Sequence, residues 1–587
     1  MNRRRMLVES LRWGAVATVG LHLKPGKVFA LETGLLTEFT GNPLRFPPVF
    51  TNGGTMTLAT TNVVVWPGTT TQVIAINGSY PCPTVRVQRG TTFSARVVNQ
   101  LAEEATVHWH GLIAPEAMDG HPKDLIPPGG SFTYTFPIVQ RAGTYFYHAH
   151  AHMRTARQVY QGFAGLFLID DDNEIPLGLP RGSFDVPLVI QDRRSAYQPQ
   201  FTYAPTMMDT MNGYLGDLVL VNGTPDAYFE VSRTLYRFRL VNGSNARVYK
   251  IGFADTHAFH IIATDGGLKD QAVAATSFFL SPGERVDILM EFSSYSLGQS
   301  VVLKSLPFTG GGGTQGLDLN IIRFDVTGSQ SSGGSVPASL PSIAYYNPSE
   351  VVRTRAFNLT MGMGGGGMHK INNRSFDLNR IDEEIPGNQL EEWRIVSQTT
   401  EFHPMHIHGV LFQVYSRNGS TNLPPSDRGW KDTVLVNPAE TVRVLVKFLN
   451  YNGIYLLHCH NLEHEDDGMM LNFRVSGLTG IDNPDDSSPL GFQLDQNYPN
   501  PFNPSTTISF AVPVASRMSL KVYNLLGQEV ASLVNGERAA GTYNVVWDGK
   551  DNASHSVASG IYFYRIEATP SDGGHVFVQA KKMILLR

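Results

Sequence analysis

Twelve of the 18 histidines lie in or beside four short clusters: His108-Trp109-His110-Gly111, with His121 just downstream; His148-Ala149-His150-Ala151-His152; His403-Pro404-Met405-His406-Ile407-His408-Gly409; and His458-Cys459-His460 through His464. All four contain His-x-His, and in a strand-like setting residues i and i+2 project from one face and present two imidazoles to one site. Imidazole and thiolate together suit copper, zinc or iron. The fourth cluster narrows the choice, because Cys459, His464 and Met469 supply a thiolate, an imidazole and a thioether, and His403 can supply a second imidazole. Two His, one Cys and a weak Met make a blue-copper electron-transfer site. In His458-Cys459-His460 the strand alternation points Cys459 to one side and both histidines to the other. One backbone segment then joins two metal sites, and an electron taken up through the thiolate could pass along it to a multi-electron centre. For a lone His-x-His, ordinary surface or core histidines are at least as good an explanation. Four clusters in one chain leave that explanation little room.

The elements that hold these residues are strands. Thr84-Val85-Arg86-Val87, Tyr236 to Val241 and Thr441 to Phe448 are alternating or β-branched runs separated by Gly, Pro and Asn turns. Turn markers repeat: Asn77-Gly78, Asn222-Gly223 and Asn372-Asn373 stand 145 and 150 residues apart, and Arg96-Val97-Val98-Asn99, Arg239-Leu240-Val241-Asn242 and Arg394-Ile395-Val396-Ser397 follow in the same order. The expectation is an all-β chain with three related sandwiches over 50–172, 180–326 and 350–476, and a Gly/Ser linker at Gly328 to Pro337. The His clusters fall only in the first and third.

These residues closely resemble the three-domain multicopper oxidases, which include laccases, bilirubin oxidases and bacterial copper-efflux oxidases; the similarity runs from about residue 50 to 476. The resemblance implies cupredoxin-like Greek-key sandwiches and four coppers. It makes His403, Cys459, His464 and Met469 the type 1 ligands, His108 and His406 the type 2 ligands, and His110, His148, His150, His408, His458 and His460 the type 3 ligands. It also implies a trinuclear centre between the first and third sandwiches, which would explain the absence of His-x-His from the second. Asp119 and Glu465 match acidic residues that relay protons in related enzymes. Asp466 and Asp467 beside Glu465 are expected to be exposed. His152 looks like a third, non-ligating imidazole, and His22, His257, His260, His369, His555 and His575 match no motif. Cys82, in Pro81-Cys82-Pro83, is expected to be a buried free thiol.

The reductant is less legible. Trp430-Lys431-Asp432 and Gly468-Met469-Met470 resemble the copper-efflux oxidases, and Met361-Gly362-Met363 through Met368-His369 offers thioethers suited to Cu(I), but the long Met- and His-rich insert of many efflux oxidases is absent. Phenols or aromatic amines remain the near alternative. A copper-free cupredoxin scaffold of the cell envelope is the rival from another class.

The 587 residues exceed one hydrophobic core, and a net charge of −5 gives no basic field for nucleic acid. Two cysteines exclude a disulfide framework. Arg3-Arg4-Arg5, the apolar stretch from Trp13 to Leu23 and Val28-Phe29-Ala30 are expected to form a twin-arginine-like signal over 1–30, whose apolar stretch is too short to span a bilayer. After the polar linker Asp482 to Ser488, Asn497-Tyr498-Pro499-Asn500-Pro501-Phe502-Asn503-Pro504, Leu526-Gly527-Gln528-Glu529-Val530 and Gly560-Ile561-Tyr562 resemble the C-terminal sorting domain of type IX secretion cargo. That resemblance implies a small Ig-like sandwich over 491–587, and a protein that meets export and secretion machinery, passes through the periplasm and reaches the cell surface or medium. No stable membrane span is expected.

Overall fold

The computed structural model describes residues 41–362, 367–478 and 492–586, apart from 495, 498, 513–514, 539–540 and 572–575. The signal over 1–30, Met363, the 482–488 linker, His22 and His575 lie outside the described residues. Within them the chain is all-β, with a few short helices between strands. Eight sheets pair into four sandwiches: five and four strands, six and seven, five and five, and three and four. Each encloses its own apolar core. The first is centred on Phe93, Trp109 and Phe167, the second on Phe238, Ile288 and Phe324, the third on Trp393, Leu457 and Phe473, and the fourth on Ile508, Leu520 and Ile566.

The repeated asparagines have the same structural job in the first three sandwiches. Asn77, Asn222 and Asn372 sit at φ 53°, 48° and 53°, a left-handed conformation that asparagine tolerates better than most residues. Each carboxamide ties its turn to a neighbouring strand. The Oδ1 atom accepts the N–H of Thr57, Val189 or Asn358 at 2.8 Å in all three, and Nδ2 donates to the carbonyl of Thr55, Pro187 or Ala356 at 2.9, 3.0 and 3.1 Å. Asn99 and Asn242 also share a role: each donates Nδ2 to two carbonyls and accepts the N–H two residues on.

Strand register then sets the histidines. Strand Val107–His110 pairs antiparallel with Gly143–Ala149, putting His108 opposite His148. In the third sandwich His403–Ile407 pairs antiparallel with Gly453–Cys459, putting His406 opposite His458 and Met405 opposite Cys459.

Candidate metal centre

Two groups of donors form at the end of strand Gly453–Cys459. In the first, Cys459 Sγ lies 3.6 Å from His403 Nδ1 and 3.7 Å from His464 Nδ1, and the two nitrogens are 3.2 Å apart. Their other nitrogens are committed: His403 Nε2–H donates to Thr399 Oγ1 at 2.6 Å and His464 Nε2–H to the Met211 carbonyl at 3.0 Å. Such outer bonds fix the tautomer and leave both Nδ1 lone pairs facing the sulfur. A short helix makes the return: Asn461 caps Leu462–Asp466 through the His464 N–H, swinging His464 back beside Cys459. Met469 is held there by its backbone, donating to the His464 carbonyl at 2.8 Å and accepting from the Cys459 N–H at 3.0 Å. All four residues are buried. Burial raises the Cys459 thiol well above its usual range and holds His403 down to about 3.

The second group gathers eight buried imidazoles from the first and third sandwiches into a pair and two triplets. His108 and His406 approach with Nε2 atoms 3.4 Å apart. His148 Nε2 lies 3.4 Å from both His110 Nδ1 and His460 Nε2, and His458 Nε2 lies 3.4 Å from His150 Nε2 and 3.0 Å from His408 Nε2. Burial, reinforced by neighbouring imidazoles, keeps His108, His110, His150, His408 and His460 well below the ordinary histidine range. Neutral imidazole is the form that can bind a metal.

Two aspartates frame this cluster with matching contacts. The Asp119 carbonyl accepts the His108 Nδ1–H at 2.8 Å while its carboxylate takes His408 Nδ1–H at 2.7 Å. The Asp432 carbonyl accepts the His406 Nδ1–H at 2.8 Å while its carboxylate takes His110 Nε2–H at 3.0 Å. Their proton affinities shift in opposite directions. Burial pushes Asp119 well above the usual carboxylate range, whereas Arg285 overrides the same desolvation and holds Asp432 well below it. Arg285 Nη1 donates to Asp432 at 2.7 Å. Between the triplet rings and the short helix, Glu465 places its oxygens 3.4 Å from His150 Nδ1 and 3.2 Å from His458 Nδ1.

Residues 57–174, 200–307 and 345–477 match multicopper oxidase family profiles, and 502–572 match the FlgD Ig-like domain. The laccase of Bacillus subtilis (strain 168) is 32% identical over 461 residues, covering 68% of this chain and 89% of the relative. The McoA multicopper oxidase of Aquifex aeolicus, solved as a crystal structure, is 36% identical with a TM-score of 0.69, covering 75% of this chain and all of the other. The cell division protein FtsP of Xenorhabdus nematophila is 35% identical, covering 64% of this chain and 79% of the relative. This chain belongs to the multicopper oxidase family. Its chemistry is oxidation and its cofactor is copper. The donor set fits that cofactor: a buried thiol is stable as thiolate only beside a cation, and a thiolate with two imidazoles suits copper.

In this multicopper oxidase the second sandwich contributes no imidazole to either group, but it is not a spectator. It supplies Arg285 to Asp432, and Asp265 and Glu284 each to Lys431 at 3.0 Å. It also supplies Gly283, where a Cβ would come within 3.0 Å of the His460 ring. Asp432 stood in view as part of Trp430-Lys431-Asp432, yet spacing alone gives no hint of a partner 147 residues away. The expectation that Asp466 and Asp467 are exposed is corrected. Asp466 accepts the Thr155 and Ala156 N–H groups at 3.1 and 3.0 Å, and Asp467 accepts from Met368 and His369. His369 is buried against the His464 ring. His121 bonds Asn472, and His152 packs edge-on to Phe376; neither joins a donor group. Cys82 is a buried free thiol, pushed up to about 12 by burial. At the C-terminus the match is to an Ig-like domain.

Proposed function

We propose that His403, Cys459, His464 and Met469 hold the type 1 copper, His108 and His406 the type 2 copper, and His110, His148 and His460 with His150, His408 and His458 the type 3 pair. The observation that carries this is that the short nitrogen–nitrogen and sulfur–nitrogen approaches join eleven His and Cys donors into a Cys-centred trio and a pair plus two triplets, with Cys459 flanked in sequence by one member of each triplet. Bound copper supplies one-electron uptake at the first site and four-electron reduction of O2 to water at the second. The chain's part is to keep the sites joined through His458-Cys459-His460 and to deliver four protons. Asp119 and Glu465, each buried against triplet imidazoles, are the proton-relay carboxylates.

The reductant is Cu(I), a phenol or an aromatic amine. Cu(I) is favoured by thioethers carried on segments whose backbone contacts His464 or its helix. Helix Met207–Asn212 lays the Met211 carbonyl on His464 while Met207 and Met208 are 63% and 60% exposed, and Met368 is tethered to Asp467, three residues beyond His464. Initial rates with Cu(I), phenols and aromatic amines, measured side by side with O2 consumption, test this reading. Replacing Met361, Met363 and Met368 by Leu, or Met207 and Met208 by Leu, is expected to cut Cu(I) oxidation sharply and spare phenol oxidation. Equal loss toward both substrates means a structural role, and no loss toward either favours the laccase-like reading. The match to FtsP motivates a second reading, a copper-free envelope scaffold, against which the complete donor set weighs.

The domain limits follow the same reading: three cupredoxin domains over 50–172, 180–326 and 350–476, an exported chain with a signal over 1–30, and a sorting domain over 491–587. No helix among the described residues is long and apolar enough to cross a membrane.

A further inference from the structure

The His464 ring turns Nδ1 toward Cys459, and its Nε2 lies 3.0 Å from the Met211 carbonyl and 3.1 Å from the Asn461 carboxamide nitrogen. These contacts engage the ring at its two nitrogens, so tilt of its plane about the line joining them is limited by what packs on its faces. The tilt is closed off by His369, whose ring lies face to face with His464, centroids 3.9 Å apart and planes 19° apart. His369 matches no copper motif, opens the strand His369–Ile371 and is fully buried. Its own orientation is fixed by Asp467. One carboxylate oxygen, Oδ2, accepts the His369 Nδ1–H at 2.8 Å and the backbone N–H groups of Met368 and His369 at 2.8 and 2.9 Å. Asp467 in turn follows the helix that carries His464, its N–H donating to the Glu463 carbonyl at 3.0 Å. The clamp and the clamped ring are thus built on one short segment, and the stack is tied at both ends.

We propose that His369 is a positioning residue of the type 1 site: held by Asp467, it fixes the plane of the His464 imidazole and so the overlap of Nδ1 with the metal and the Cys459 sulfur. The proposal rests on the ligand set proposed above. Overlap at a blue-copper site governs both the thiolate absorption band and the reduction potential, so a tilt of one imidazole is read directly in both. The imidazole does more than fill space. His369 Nε2 is buried without a hydrogen-bond partner, a cost that a hydrocarbon ring would avoid, whereas its Nδ1 is what engages Asp467.

The test uses copper-loaded full-length protein and three variants, His369→Ala, His369→Phe and Cys459→Ser, read by visible absorption, electron paramagnetic resonance and the type 1 potential. His369→Ala removes stack and clamp, and is expected to shift and weaken the blue band and move the potential. His369→Phe restores the stacked ring and is expected to return most of the band. A role in stability alone would lower the melting temperature of His369→Ala and leave band and potential at wild-type values, which overturns the proposal. Equal shifts in the Ala and Phe variants overturn it too, because the stacked ring would then be irrelevant. Failure of the underlying ligand set looks different: Cys459→Ser would keep its colour.

Discussion

Asp119 and Glu465 touch different imidazoles of the second cluster, His408 and the His150/His458 pair. Asp119→Asn and Glu465→Gln keep volume and remove the ionisable group. Each is expected to slow reoxidation by O2 by about 10²-fold or more while type 1 reduction by substrate holds. Stopped-flow absorbance separates the two steps, and unchanged reoxidation in both variants refutes the relay. Asp432 is the informative contrast. It makes the same pair of contacts as Asp119, but Arg285 keeps it ionised, so its role is to orient His110 and His406. At this scale the sequence displays the donors and conceals their partners. His-x-His and His-Cys-His are legible because strand alternation acts over two residues. Arg285 on Asp432 and His369 on His464 join positions 147 and 95 residues apart, and only packing reveals them.

The recurring Asn turns show why the fold was legible at the level of elements. A left-handed turn closing a hairpin leaves a short list of residues, and a carboxamide that also bonds two backbone groups shortens it to asparagine. That constraint is local, so it repeats in sequence wherever the sandwich repeats. Asn372→Ala is expected to destabilise the third sandwich by about 2–4 kcal/mol, combining backbone strain with lost hydrogen bonds. Asn372→Gly keeps the conformation and loses only the bonds, so about 1–2 kcal/mol is expected. Urea unfolding followed by Trp393 fluorescence ranks the two, and equal losses would show that strain is unimportant. The helices were not legible, because Leu462–Asp466 spans five residues, too few to show a 3.6-residue period. Yet that turn brings His464 to Cys459.

For the whole molecule, burying so many neutral imidazoles has a pH signature. Burial holds His148 and His403 down to about 3 in the fold, while an unfolded histidine titrates near 6.5. Below about pH 6.5 the unfolded chain therefore binds protons that the copper-free fold refuses, so stability present above that pH is lost as pH falls toward 3. Each pH unit in that window costs about 1.4 kcal/mol per such histidine. The melting temperature of copper-free protein is expected to drop steeply between about pH 6.5 and 4, and a flat profile would contradict the buried, neutral cluster. The central claim is that one chain builds a thiolate copper site and a separate three-copper site joined by His458-Cys459-His460. Copper content and visible absorption of the wild type and Cys459→Ser, both loaded with excess copper and dialysed, test it most directly. The account predicts four coppers per chain and a blue wild type, against three coppers and no blue band in the variant. A wild type that stays colourless and copper-poor, or a variant that stays blue, would contradict it.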